Sequence, residues 1–97
     1  MSNVITIKFY ADPGHGWGAV KVAVAEKLGF LKKVSLYSYI RGKTIYLEED
    51  SDLSLYINAI KANGDSFVID SKHTNAYHPI RSYDSATQKN ILKATFA

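Results

Sequence analysis

The hexapeptide Asp12-Pro13-Gly14-His15-Gly16-Trp17 constrains this chain more than any other segment. Proline fixes one backbone torsion, and the two glycines allow conformations and close approaches that other residues refuse, so the chain must turn sharply here. An acid, an imidazole and an indole crowd onto the same turn. That combination marks a built structural element, with Asp12 bonding to backbone amides, His15 bracing the glycine turn and Trp17 plugging the core below it.

The flanking segments carry clear periodicities. From Val4 to Tyr10, Ile5, Ile7 and Phe9 share one face and Thr6, Lys8 and Tyr10 the other, which predicts a half-buried strand. Gly18 to Leu28 sets Ala19, Val20, Ala23, Val24 and Leu28 at helical spacing, with Gly29 as a C-cap. Val34 to Ile40 and Thr44 to Glu48 flank Arg41-Gly42-Lys43 and predict a hairpin with a positive-φ glycine. Asp50, Ser51 and Asp52 offer N-caps to a helix that buries Leu53, Tyr56, Ile57 and Ile60 and stops at Asn63-Gly64. Phe67 to Asp70 predicts a further strand. The order β-α-β-β-α-β implies an α+β fold, a split-βαβ, ferredoxin-like sheet with two helices on one face, other small α+β layouts remaining open. At 97 residues the chain holds a single domain over 1–83, followed by a short helix or arm over 84–97.

Composition removes several classes of function. With no cysteine there is neither a disulfide framework nor a thiolate metal site. No apolar run approaches the ~20 residues of a membrane span, and Met1-Ser2-Asn3 opens no secretory signal, so a cytoplasmic location without membrane contact is expected. The net charge of +3 is uneven: residues 1–43 hold seven Lys and Arg against two acids, residues 44–97 five against seven. Such a balance permits an anionic partner without requiring one.

In the predicted hairpin Val34, Leu36 and Ile40 alternate with Tyr37, Tyr39 and Arg41, and Ile45 and Leu47 alternate with Tyr46. With the aliphatic set on the helices, Tyr37, Tyr39 and Tyr46 share the opposite face with Arg41, and Tyr10 and Lys8 of the first strand can join them. Such a surface suits a protein partner, because tyrosine and arginine anchor interfaces. It also suits the stacked bases of a single-stranded nucleic acid. Packing within the sheet accounts for the same tyrosines without any partner.

The turn Asp12-Pro13-Gly14-His15-Gly16-Trp17, the hairpin Ser35-Leu36-Tyr37-Ser38-Tyr39-Ile40-Arg41-Gly42, the acidic Tyr46-Leu47-Glu48-Glu49-Asp50-Ser51-Asp52 and Pro79-Ile80-Arg81-Ser82-Tyr83 together resemble short uncharacterised proteins of tailed bacteriophages. The resemblance implies a phage accessory protein acting on a bacterial host protein, as an inhibitor or modulator of a host or host-defence factor, and it implies neither catalysis nor cofactor. Asp12-Pro13-Gly14-His15-Gly16, with Asn63 to Val68 leading to Ser71-Lys72-His73-Thr74-Asn75-Ala76, is also similar to the zinc-binding segments of type 3 N-acetylmuramoyl-L-alanine amidases. That second resemblance implies, as an alternative, a reduced zinc hydrolase with His15, Glu26 and His73 as ligands.

Overall fold

The computed structural model describes residues 3–96; Met1, Ser2 and Ala97, which the sequence reading assigns to the N-terminal segment and the C-terminal arm, lie outside the described residues. The first strand, β1 (Val4–Ala11), runs into the turn and returns as an antiparallel partner, β2 (Gly16–Lys21). The helix predicted from Gly18 is therefore shorter, and α1 covers only Val22–Leu28, capped by Gly29 at φ 86°. Ala19 and Val20 fit a helical stripe and an alternating strand equally well, and the pairing of β1 decides between them. Phe9, Tyr10 and Ala11 need a backbone partner, and Gly18, Trp17 and Gly16 supply it. Glycine at position 18 leaves room for the Leu53 side chain, which a Cβ there would displace.

The hairpin is present as β3 (Tyr39–Arg41) and β4 (Thr44–Glu48), turning at Gly42 with φ 59° and pairing Tyr39 with Tyr46. Its first strand is shorter than the predicted Val34 to Ile40. Ser35 to Ser38 forms a turn instead, closed by the Ser38 amide donating to the Ser35 carbonyl. Buried Asp52 holds this turn: its Oδ2 accepts from the Ser35 amide at 2.9 Å, the Ser35 hydroxyl at 2.8 Å and the Ser38 hydroxyl. Asp52 does precede the helix α2 (Leu53–Ala62), but its side chain makes no capping bond. The helix ends at Asn63, with Gly64 at φ 78°.

The strand after α2 is longer than Phe67 to Asp70. As β5 (Ser66–His73) it lies parallel to β1 along its whole length, at the sheet edge. Residues 74–83 then cross the sheet as a strap containing a 3-10 turn, Pro79–Ser82. A two-residue strand, β6 (Asp84–Ser85), and helix α3 (Gln88–Phe96) complete the chain. The result is an α+β fold with one six-stranded mixed sheet in the order β5-β1-β2-β4-β3-β6.

The two faces of the sheet are covered differently. Ile7, Val20, Ile40, Ile45 and Leu47 face the three helices and form one core with Val22 and Ala25 of α1, Leu53, Tyr56 and Ile60 of α2, and Ile91 of α3. At roughly 1.5–3 kcal/mol per buried aliphatic or aromatic side chain, this layer holds most of the hydrophobic stabilisation. Trp17 is just as buried, at 1% exposure, yet lies outside that core. It stands opposite Tyr10 and Glu48 and belongs to the other face, so it plugs the space beneath the strap and not the helical core. No helix among the described residues is long and apolar enough to cross a membrane.

Candidate functional site

Asp12 organises the strap side. Within the hairpin loop its amide donates to the His15 carbonyl at 2.9 Å, and its Oδ1 accepts from the amides of Gly14 and His15, both at 3.0 Å. An Asp at the first position of a tight turn does this readily. The same carboxylate also reaches across the sequence to the strap. Oδ2 accepts from the His78 amide at 3.0 Å and from Arg81 Nε at 2.6 Å, and Oδ1 accepts from Arg81 Nη2 at 2.8 Å. This two-pronged ion pair is charge-assisted and geometrically specific. The Arg81 guanidinium, aided by the three backbone amides and opposed by burial, holds the Asp12 carboxyl far below the usual carboxylate range.

Arg81 is itself wedged among rings. Its guanidinium carbon lies 5.6 Å from the Trp17 ring centroid and 4.6 Å from that of Tyr77, and a Cβ on Gly14 would stand 2.7 Å from its Nη2. Glycine at position 14 therefore leaves room for the arginine. His78 adds ring contacts with Tyr10 at 5.3 Å and Trp17 at 6.3 Å, and its Nδ1 accepts from the Ile80 amide at 3.1 Å. Ile80 is fully buried and anchors the strap.

Tyr39, Tyr46 and Tyr10 share the face away from the helices, in line with the alternation read from the sequence. They do not form an open platform, because the strap packs on them. Tyr46 stacks obliquely against Tyr83 at 5.4 Å and edge-on against Tyr10 at 6.1 Å, and burial, with Tyr83 and Tyr10 nearby, pushes its hydroxyl above the ordinary tyrosine range. Tyr37 leaves this face altogether: it sits in the Ser35 to Ser38 turn, 67% exposed beside Leu36 at 63%. Arg41 goes with Tyr83, 4.9 Å from its ring centroid, and borders a groove of about 580 Å³ with Lys43 and Lys93. Lys8 borders a smaller groove, of about 360 Å³, with Tyr10, Ala19 and Tyr46.

A second cleft, of about 520 Å³, opens where the turn, the Ser35 to Ser38 knuckle and the strap meet. Trp17 and Tyr39 line it as aromatic wall, their ring centroids 6.3 Å apart, with Leu36 and Tyr37 at its apolar lip and His15, Glu48 and Arg81 as its polar border. His15 is half exposed, with Nδ1 3.7 Å from Glu48 Oε1 and its ring 6.1 Å from Trp17. Trp17 Nε1 is buried and has no hydrogen-bond acceptor among the described residues, a condition that typically costs about 1–3 kcal/mol. Leu36, Tyr77 and Arg81 were not singled out as site residues by sequence reasoning.

The proposed zinc ligands are placed apart in kind: His15 on the cleft border, Glu26 on α1 beside Lys21 and Lys43, and His73 exposed at the end of β5. Among the described residues no group of three or more His, Asp or Glu side chains gathers to hold a metal ion. Comparison with protein-family models, curated proteins and solved structures finds no match to this chain.

Proposed function

We propose that this protein is a small phage-type accessory protein that acts by stoichiometric binding, occluding a bacterial host protein through the cleft beside Trp17. The observation carrying the reading is the pairing of exposed Leu36 and Tyr37 with a pre-formed aromatic cleft. Large apolar side chains held out on a tight turn cost solvation in the free protein and gain it back against a partner. Asp52 pins that turn and the Asp12–Arg81 pair pins the opposite wall, so little order remains to be lost on association. The assignment to a phage protein acting on a host or host-defence factor rests on the resemblance of the turn, the hairpin and the acidic segment.

The contact set differs from the one the sequence suggests. Tyr37 and Tyr39 stay in it, joined by Leu36 and Arg81 above the buried Trp17, while Tyr46 and Tyr10 serve the strap and Arg41 lies at another groove. Affinity capture from bacterial lysate, followed by calorimetric titration of the purified pair, tests the reading. It predicts one dominant partner bound one to one, with Tyr37→Ala weakening it at least about tenfold, the scale of a truncated interface anchor. Equal affinity of wild type and Tyr37→Ala contradicts it.

A further inference from the structure

The two ends of the sheet are unequal. One edge is the two-residue β6, too short to template a neighbour. The other is β5, eight residues long, free of proline, with every residue exposed except half-buried Phe67 and with Val68 at 50% and Ile69 at 43% exposure. The Ser66 amide donates to the Asn3 carbonyl and the Thr74 amide to the Ala11 carbonyl, so the even-numbered residues of β5 turn their backbone groups toward β1. Strand alternation then directs the N–H and C=O groups of Phe67, Ile69, Ser71 and His73 outward.

Charge selects what can lie there. In an antiparallel ladder, outward residues pair with outward residues, and the even-numbered side chains between them come closest, with Cα atoms ~4.5 Å apart. When two β5 strands meet about a twofold axis, a register centred on Asp70 sets Asp against Asp, and one centred on Lys72 sets Lys against Lys. Centring on Ile69 faces Asp70 with Val68. Centring on Ser71 places Asp70 opposite Lys72 of the second copy and repeats the pair on the other side of the axis. Lysine on an edge ordinarily discourages pairing, but an acid two residues before it makes this edge complementary to itself. Lys8 lies beside Asp70 on β1, adding a second cation to the same carboxylate.

We propose that β5 is a self-association edge, joining two copies of this chain antiparallel about Ser71 into one continuous sheet. The pairing bonds Ile69 to His73 and Ser71 to Ser71 across the axis, and it leaves the Trp17 cleft of each copy untouched.

Sedimentation velocity at low salt should show a monomer–dimer equilibrium below about 1 mM, the weak end of specific association. Asp70→Lys and Lys72→Asp should each remain monomeric alone, and an equimolar mixture of the two should restore the dimer, because each then presents the opposite charges to the other. In the wild type, amide exchange at Ile69, Ser71 and His73 should slow as concentration rises. That last readout needs no variant to fold. A monomer throughout that range, a mixture that fails to pair, or exchange independent of concentration overturns the proposal; an extended foreign peptide protecting these amides while the chain stays monomeric overturns the choice of a second copy.

Discussion

Asp12 and Arg81 stand 69 residues apart and meet in a two-pronged ion pair of 2.6 and 2.8 Å that fastens the strap to the first turn. The Asp12 side chain is fully buried and that of Arg81 only partly exposed, so removal of either leaves a charge without its partner in a poorly solvated place. Asp12→Asn and Arg81→Ala should each lower the melting temperature, and the double variant should lose far less than the two losses added together. A double-mutant cycle measures this directly, and simple additivity would show that the two residues act separately.

The same pair sets a dependence on acid. An unfolded Asp titrates near ~3.9, and Asp12 in the folded protein titrates well below that, with Arg81 as the main cause. The pair's contribution is therefore whole above about pH 4 and drains away as pH falls through the lower, folded value. Asp65, lowered by the Asn3 amide and the Asn63 side chain, acts in the same direction. Urea unfolding between pH 6 and 3 should show stability falling with acid, less steeply in Asp12→Asn. Indistinguishable slopes would remove Asp12 from the account.

Ser38 gives a test on the knuckle. Its buried hydroxyl donates to Asp52 and accepts from the Glu48 amide at 3.0 Å, and its carbonyl accepts from the Ala86 amide at 2.8 Å. Ser38→Ala strands the Glu48 amide and should cost about 1–3 kcal/mol, read by denaturant midpoint. A neutral result would mean that the Ser35 to Ser38 turn is held by its other bonds.

Gly18 tests the strand that replaces the predicted helix start. A methyl group there meets Leu53 and approaches Ile7 Cγ2 to 3.3 Å, so Gly18→Ala should destabilise by about 1–3 kcal/mol. In a helix beginning at Gly18, the same change would stabilise by removing backbone freedom. The sign of the shift discriminates.

Local patterns carried much of this fold. The alternation of Ile5, Ile7 and Phe9, the second strand of the Gly42 hairpin and the stripe Leu53, Tyr56, Ile60 are short-range signals, and each reappears as an element with close boundaries, whereas the first hairpin strand keeps only Tyr39–Arg41. The burial of Trp17 was legible, but the side of the sheet it fills was not, because the phase of β2 follows from its pairing with β1 and with Glu48 of β4, thirty-one residues on. Tyr37 left the sheet because Asp52, fourteen to seventeen residues away, draws Ser35 and Ser38 into a turn. Arg81 stayed hidden for the same reason: its partner Asp12 is 69 residues away, and the strap that carries it has no periodicity to read.

Amide exchange on the complex with a captured bacterial protein tests the central claim most directly. The cleft predicts slowed exchange at residues 15–17, 36–39 and 77–81, with β5 and the Gly42 tip unchanged. Protection confined to the Arg41–Lys43 groove, with the amides around Trp17 exchanging as in the free protein, would contradict it.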